Sequence, residues 1–412
     1  MRLLAPSFFV IALATVLPES AAAQDRSAAP AVSAGDNGFT IQSQNGDYQL
    51  RIGALLQADG RFAPGDDAGR VVDTFTIRRV RPALRGRLTR YFEFTLNPDF
   101  AGGTVVVQDA YLDTVFSRAF RVRIGKSKTP FGLERLQTVA YMVFYERALP
   151  TALVPNRDAG VQVLGDLAGG LVSYQAGVLN GVADGGSGDT DISDGKDVAG
   201  RILVRPFQKR GATDPLRGLA LGFAATAGKQ AGAAALPTLR TSSLQQTIVA
   251  YTGAAAAGTR TRYSPQASYV HRSFSAFAEY VHSEMPIASA AVRADVAHRA
   301  WQIAGSYLLT GEAATDGSTG IRPRANFDVE SGHWGAVQLA ARYHHLEVDE
   351  AARRFAAAGS ALEAEAWTLG VNWYLTPNIR YLVNVERTVF DRAAGSARPS
   401  ENAVVFRSQV YF

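Results

Sequence analysis

The chain has 412 residues, enough for one large barrel or two to three soluble domains. No apolar run of roughly 18 or more residues follows the N-terminus, which excludes transmembrane helices, whereas a membrane β-barrel stays possible because its apolar and polar residues alternate. The net charge of +5 arises from 37 Arg and 5 Lys against 37 acidic residues, and the absence of cysteine excludes disulfides and thiolate metal sites. A basic pore would attract anions, whereas nucleic-acid binding would require clusters of basic and aromatic residues.

The first residues have the pattern of an export signal. Arg2 supplies a positive charge, residues 3–17 are apolar but too short to span a bilayer as a helix, and Ala21 to Ala23 are small residues suited to cleavage. We therefore predict a signal peptide at 1–23; the alternative, an uncleaved anchor, is disfavoured by the length of the apolar run. Residues 24–37 are rich in Ala, Ser and Gly and predict a flexible leader before a barrel domain at 38–412.

From Gly38 onward the periodicity of apolar residues is two, which predicts β-strands. Asn45-Gly46 between alternating runs predicts a tight hairpin. In the strand that follows, Leu50, Ile52 and Leu56 share one face. Arg51, Gln57 and Asp59 share the other face. Sixteen such segments are predicted: 47–62, 71–88, 91–100, 105–116, 120–128, 159–167, 170–180, 197–207, 218–229, 259–272, 274–285, 298–310, 333–348, 364–376, 378–390 and 402–412.

The connections between these segments alternate in length. Tight turns such as 89–90 and 117–119 alternate with long loops such as 182–196 and 230–258, and only 311–332 is long where a short turn is expected. This alternation is typical of outer-membrane barrels, whose long loops lie outside the cell. The sequence therefore predicts an all-β fold, a 16-stranded antiparallel transmembrane β-barrel with both termini on the periplasmic side.

Several motifs along these strands resemble the phosphate-selective porin family, porins O and P. They are DTFTIRRVRP at 73–82, GKSKTPFGLE at 125–134, ERALP at 146–150 followed by NRDAG at 156–160, and WTLGVNWYL at 367–375. Gly311-Glu312 after YLLT at 307–310 also fits the family. The resemblance covers about Gly38 to Phe412 and rests on the order and spacing of the motifs.

The resemblance implies a homotrimer in the outer membrane of a Gram-negative bacterium, in contact with its lipids. It also implies that the third loop, 129–158, folds into the lumen as a constriction; the alternative is a loop that caps the outside. Family members tend to have lysines after Gly311-Glu312. Here Ala313 and the later Arg322 and Arg324 take those places. This difference argues against tight phosphate binding but not against an anion preference.

The strand at 71–88 carries arginines at alternate positions, which places them on one face, opposite Val80, Leu84 and Leu88. We call Arg79, Arg81, Arg85 and Arg87 the arginine ladder, because a column of guanidinium groups in the lumen would offer an anion successive weak sites. The alternative is that these arginines pair with lumen acids such as Glu93 and Asp99. Arg78 breaks the alternation and indicates a bulge or a subunit contact.

Other cationic residues have the right position to line the same pore. They are Arg121, Arg123, Lys126, Lys128, Arg260, Arg262, Arg322 and Arg324. No catalytic residues, cofactor or metal site are predicted. His344 and His345 point to opposite faces of a strand, and the acidic loop with Asp189, Asp191, Ser193 and Asp194 fits a solvated loop better than a Ca²⁺ site.

These observations predict a channel for passive diffusion of anions, with phosphate or polyphosphate as the expected solute and no nucleic-acid partner. The alternative within the same fold is a general diffusion porin with weak charge selectivity. An outer-membrane enzyme is disfavoured, because the sequence offers no nucleophile elbow or paired-acid site. A structural barrel with a plugged lumen would differ by having no conductance.

Overall fold

The computed structural model describes residues 29–66, 71–191, 194–391 and 398–412. The predicted signal peptide and residues 24–28 of the predicted leader therefore lie outside the described residues. In the described parts, no helix is long and apolar enough to cross a membrane.

The regular secondary structure of the described residues is almost entirely β-strand. The bounds of the strands are β1 Ala31–Gly35, β2 Gly38–Gln42, β3 Tyr48–Phe62, β4 Thr74–Leu88, β5 Phe92–Asp99, β6 Val106–Val115, β7 Arg121–Lys128, β8 Arg157–Leu167, β9 Val172–Leu179, β10 Asp197–Val204, β11 Leu219–Gly232, β12 Leu239–Arg240, β13 Thr247–Val249, β14 Ala255–His271, β15 Phe274–Ala288, β16 Arg293–Leu308, β17 Ala336–Glu347, β18 Glu363–Tyr374, β19 Ile379–Phe390 and β20 Glu401–Tyr411. One α-helical turn, α1, spans Leu133–Leu136. Short 3-10 turns lie at Ala101–Gly103, Val139–Tyr141, Leu149–Leu153, Pro215–Gly218, Ala233–Ala235 and Glu350–Arg354.

The strands β3 to β11 and β14 to β20 pair in chain order, each antiparallel to the next. The sheet closes where β20 pairs with β3, with Phe406 opposite Gly60 and Val410 opposite Leu56. The described part of the chain is thus a closed 16-stranded antiparallel barrel, as predicted. Closure satisfies the backbone hydrogen bonds of every wall strand without leaving an edge.

The two ends of the barrel differ in their connections. One end, which we call the turn end, carries short links such as 89–91, 272–273 and 375–378. The other, the loop end, carries the third loop (129–156), the fourth loop (180–196) and the fifth loop (233–254). The sequence predicts one long connection, 311–332, among the short turns. This prediction is confirmed, because residues 309–335 connect β16 and β17 at the turn end.

Two hairpins lie outside the predicted set of strands. β1 pairs with β2, which itself pairs with β3 beside the C-terminal end of β20. The prediction of a flexible leader is therefore wrong for Ala31–Gly35, because backbone pairing with β2 orders a segment whose own composition favours no structure. The second hairpin, β12 with β13, lies within the fifth loop.

The two faces of the wall strands have opposite chemistry. On β18, Trp367 and Leu369 are 61% and 62% exposed, whereas their neighbours Thr368 and Asn372 are buried. The apolar face of the closed sheet is therefore its outside, and the polar face is its inside. This arrangement suits a barrel whose wall contacts lipid and whose lumen holds polar groups.

The assignment of faces can be tested by thiol labelling, since the chain has no cysteine of its own. We expect Arg85→Cys, at an exposed inner position of β4, to react with a membrane-impermeant anionic thiol reagent in lipid vesicles. Leu369→Cys should react only with a lipid-soluble reagent, because it lies on the apolar face. Equal reaction of both variants with the impermeant reagent would show that the faces are wrongly assigned.

Candidate functional site: a cationic lumen

The arginine ladder lies on the inner face of β4, as its spacing predicts. Arg79 and Arg81 are buried, whereas the alternating Ile77 and Leu88 are exposed on the outside. Arg78 lies at a bulge, because Gln57 of β3 pairs with Arg79 and the next residue, Ala58, pairs with Ile77. The bulge turns the Arg78 side chain towards the same partner as Arg79 and explains the broken alternation.

That shared partner is Glu146 of the third loop. Its carboxylate lies 2.6 Å from Nε of Arg78, 3.1 Å from Nη2 of Arg79 and 3.3 Å from Nη2 of Arg407. Arg61 contributes a fourth contact at 3.8 Å. Burial alone would raise the pKa of Glu146, but Arg79, Arg78 and Arg407 hold it well below its usual range. Glu146 is therefore ionised and ties the third loop to three strands.

Most of the other predicted cations also have carboxylate partners. Arg81 pairs with Asp99 at 2.7 Å, and Arg123 pairs with Asp113 at 2.7 Å. Further pairs join Arg121 to Glu93 and Asp113, Lys126 to Asp189, and Arg322 to Asp36. The alternative prediction, that cations in the lumen pair with carboxylates, therefore describes a large part of the predicted pore-lining residues.

Arg260 and Arg262 need a correction. Both are fully buried, and Arg262 lies between Asp184 at 2.6 Å and Asp197 at 3.1 Å. Arg260 pairs with the same Asp184 at 3.2 Å. Because their charges are neutralised and enclosed, these two arginines fasten the fourth loop to β14 rather than face a solute.

A second group of cations has no carboxylate partner in the parts of the chain that the structure describes. Nζ of Lys128 donates to the backbone oxygens of Leu136 and Gln137 at 3.1 and 2.7 Å. Arg135 donates to the backbone oxygen of Thr151 at 2.7 Å, and Arg147 to that of Glu134 at 3.3 Å.

The pKa values of this group show crowding of like charges. Burial, together with Arg147 and Arg157, lowers the pKa of Arg135 to about 9. Burial, opposed by Glu134 but aided by Arg157, lowers the pKa of Arg147 to about 10. Both guanidinium groups are therefore charged at neutral pH, in a region where positive charge exceeds negative charge.

The remaining members of the predicted set lie nearer the turn end. Arg85 is exposed in the lumen and has no hydrogen bond or ion pair to a described residue. Arg87 donates to the backbone oxygen of Gly46 at 2.6 Å. Arg324 donates to that of Gly311, in the segment 309–335. This segment also contacts the third loop, since Thr138 N–H donates to Gly317 O at 3.3 Å.

The third loop reaches far round the barrel. It connects β7 and β8, yet its backbone hydrogen-bonds to side chains on strands from β15 to β20. The contacts are Leu133 to Glu279 at 2.6 Å, Leu149 to His344 at 3.2 Å, Val143 to Asn372 at 3.0 Å, Tyr145 to Asn384 at 2.8 Å and Ala140 to Gln409 at 2.9 Å. β17 and β18 lie halfway round the ring from β7 and β8. Asn372 and Gln409 also lie near the turn end of their strands.

Apolar and ionic packing closes the part of the interior near β14 to β17. Phe131, Leu149 and Leu153 of the third loop pack with Ile248 of the fifth loop and Val281 of β15. Beside them, Arg342 bridges Glu134 and Glu386 at 3.2 Å each. Of the residues that the structure describes, no cluster could hold a metal ion.

Two cavities remain on the side of β4 to β8. The outer cavity, 610 Å³, is lined among the described residues by seven arginines and three carboxylates, namely Arg78, Arg79, Arg81, Arg135, Arg147, Arg157 and Arg240 with Asp99, Glu146 and Asp184. The inner cavity, 130 Å³, has Arg85, Lys128 and Asp109 on its wall. Arg81 and Arg157 line both cavities, and we call the place where the cavities adjoin at these two residues the neck.

The sequence reading missed several of these groups. Arg135 directly follows the motif at 125–134 and Arg147 lies within the motif at 146–150, so their position in the third loop is a usable signal. Arg157 pairs with Asp109 at 3.0 Å, and Arg407 with Asp59 at 2.6 Å. Neither pair has a local sequence signature, because each partner comes from a distant strand.

Comparison with known proteins identifies the family. The family model of phosphate-selective porin O and P matches residues 50–412. The chain belongs to this porin family. It is an outer-membrane channel and not an enzyme. No curated protein matches the sequence significantly.

Solved porins share the fold of this family member. The outer-membrane channel DcaP of Acinetobacter baumannii is 11% identical, with a TM-score of 0.58 and 90% of this chain and 99% of that chain covered. An anion-selective porin from Comamonas acidovorans is 12% identical, with a TM-score of 0.55 and coverage of 89% and 100%. OmpT of Vibrio cholerae in a trimer form is 12% identical, with a TM-score of 0.55 and coverage of 89% and 99%. At these identities the likeness shows the barrel fold alone.

Arg342 should be needed for the stability of this porin. Arg342→Met leaves two buried carboxylates without their shared cation, which costs about 3–5 kcal/mol. We expect the purified porin in detergent to lose its β-strand signal in circular dichroism at a lower temperature than the unsubstituted protein. Arg299→Met, which breaks the exposed pair with Glu347 at 3.2 Å, is the control and should cost about 0–1 kcal/mol. Equal shifts in both variants would contradict the assignment.

Proposed function

We propose that this porin is an anion-selective channel for phosphate or closely related anions. The anion enters the outer cavity from the loop end, passes the neck between Arg81 and Arg157, and leaves through the inner cavity past Arg85 and Arg87. The excess of positive charge along this route carries the proposal. The neck and the outer cavity hold paired arginines, and Arg135 and Arg147, which have no carboxylate partner among the described residues, supply the net field.

The third loop forms the constriction in this proposal. Its hydrogen bonds to Asn372 and Gln409, deep along β18 and β20, support a position inside the lumen rather than a cap over the loop end. Its inward face then presents Arg135 and Arg147 opposite Arg79 and Arg81 of β4. A solute that passes between them meets positive groups from both sides.

Guanidinium groups suit this task because they stay charged and offer paired donors to the oxygens of phosphate. A conducting site must also release its ion, so tight binding at any single station would slow transport. Glu146, Asp99 and Asp109 compete with the anion for the guanidinium donors, so each arginine binds the anion only weakly. The family model and the anion-selective porin of the same fold support the preference for anions.

We further propose that the channel is a homotrimer in the outer membrane, with lipids against the exposed apolar face. The trimer form of OmpT supports the assembly, and the exposure of residues such as Trp367 and Leu369 supports the lipid contact. The signal peptide proposed at 1–23 would direct export.

A general diffusion porin is the second candidate. The pairing of Arg79, Arg81, Arg121 and Arg123 with carboxylates favours it, because paired charges produce little net field. The two candidates differ in the effect of removing cations that have no carboxylate partner.

Removal of those cations should reduce anion selectivity. We expect Arg147→Gln and Arg135→Gln each to lower the ratio of chloride to potassium permeability about two- to fivefold at low salt, since one nearby charge contributes about 1 kcal/mol in water. The measurement is the reversal potential of the purified porin in a planar bilayer under a KCl gradient. Arg299→Gln, on the outside of the barrel, is the control and should have no effect. Unchanged reversal potentials in both lumen variants would favour the general diffusion porin.

Competition between anions tests the preferred solute. Inorganic phosphate should reduce the chloride current at millimolar concentration in dilute KCl, because it occupies the guanidinium-lined route longer than chloride does. Sulfate and pyrophosphate, tested in the same bilayer, show how far the preference extends. If phosphate has no more effect than an equal addition of chloride, the channel is anion-selective at most and phosphate is not its preferred solute.

A further inference from the structure

The outer cavity is much larger than the passage below it. At roughly 30 Å³ per water, its 610 Å³ corresponds to about twenty waters, whereas the inner cavity of 130 Å³ corresponds to about four. Pockets of several hundred Å³ are typical of binding sites for organic ligands. A compact inorganic anion needs only a small part of the outer cavity.

The walls of the outer cavity have different chemistry. Arg78, Arg79 and Arg81 of β4 line one side together with Arg157 of β8. The tip of the hairpin β12–β13 in the fifth loop adds hydroxyl and amide groups, from Thr238, Thr241, Ser242 and Gln245. Guanidinium groups recognise a phosphoryl group, and hydroxyls and amides recognise the hydroxyls of an organic body.

Two polar atoms on this wall have no partner among the described residues. Oγ of Ser242 and Nε of Arg79 are both buried and make no hydrogen bond there. Their residues are only 6% and 3% exposed, and both line the outer cavity. A buried polar group without a partner is costly, so both atoms are suited to bind a polar ligand.

Hydrogen bonds to the barrel wall hold the tip of the β12–β13 hairpin in place. Thr241 Oγ1 donates to Glu401 Oε2 at 3.1 Å, Leu244 N–H donates to the same carboxylate at 3.4 Å, and Ser243 donates to Glu386. Gln245 has a φ of 59°, a left-handed conformation that is costly for a residue with a side chain. The strained and fastened turn keeps Ser242 at the cavity wall.

We propose that the outer cavity binds phosphate esters, with the phosphoryl group on the arginines of β4 and the hydroxyls of the organic part on the tip of the fifth loop. This inference rests on the proposed anion channel and goes beyond it. The neck at Arg81 and Arg157 passes inorganic phosphate but not the ester. Esters of phosphate are therefore ligands and blockers of the pore from the loop end.

The test uses the full-length porin in a planar bilayer in dilute KCl, with glucose 6-phosphate, inorganic phosphate and glucose as probes. Glucose 6-phosphate added at the loop end should block the chloride current, and higher voltage should deepen the block because the ester cannot pass the neck. The block by inorganic phosphate should be relieved at higher voltage, because phosphate passes through. Glucose, without the charge, should have no effect.

Substitution of Ser242 distinguishes recognition of the organic part of the ester from recognition of its phosphoryl group. Ser242→Ala should weaken the block by glucose 6-phosphate about three- to tenfold, the value of one hydrogen bond, and leave the block by inorganic phosphate unchanged. Thr238→Val, an exposed residue of the same wall, is a second variant in case Ser242→Ala does not fold. Ser318→Ala, at the turn end, is the matched control.

Three results would overturn the inference. In the first, Ser242→Ala, or Thr238→Val where that variant is used, weakens the block by glucose 6-phosphate and the block by inorganic phosphate equally. In the second, higher voltage relieves the block by glucose 6-phosphate. In the third, inorganic phosphate blocks the current but glucose 6-phosphate does not. The third result would leave the proposed anion channel intact. If inorganic phosphate also fails to block and the pore shows no anion selectivity, the proposed function itself is wrong.

Discussion

The structure depends on one buried carboxylate. Glu146 lies where β20, β3 and β4 meet at the closing seam, and it contacts arginines from all three strands. A buried ionised group requires such partners, and the two buried guanidinium groups, those of Arg79 and Arg407, equally require an anion. Because the pKa of Glu146 is lowered, the stabilisation is present above the ordinary pKa of Glu, about 4.3, and is lost only as the pH falls through its lower folded value. The third loop thus stays fastened at every pH near neutrality.

The same requirement explains why only part of the arginine ladder is available to a solute. A guanidinium in a narrow interior is stable when a carboxylate faces it, so Arg79 and Arg81 have acquired Glu146 and Asp99. Positive groups that rely on backbone oxygens, such as Arg135 and Arg147, keep their net charge. In the proposed channel, selectivity comes from the groups that folding does not neutralise, and these are not the residues that stand out in the sequence.

The sequence reveals the wall of the barrel much better than its contents. Apolar alternation with period two located all sixteen wall strands, and of the two explanations that the sequence left open for Arg78, a bulge or a subunit contact, the structure shows a bulge. It could not show that Glu146 meets Arg407, because these residues are 261 positions apart and no local pattern relates them. The β12–β13 hairpin and the strand Ala31–Gly35 were missed for a similar reason, since their order comes from tertiary contacts rather than from their own periodicity.

In the proposed channel, two adjoining cavities would separate recognition from passage. Several arginines around the wide outer cavity would raise the local concentration of anions, while the paired Arg81 and Arg157 at the neck would bind them only weakly. Lysine at these positions would offer a point charge without the two-point geometry that holds a phosphoryl group. The chain has only 5 Lys against 37 Arg, so the proposed recognition would rest on guanidinium groups fixed by acids. Such groups are positioned before the solute arrives, so the solute replaces part of an existing hydrogen-bond network instead of ordering a flexible one.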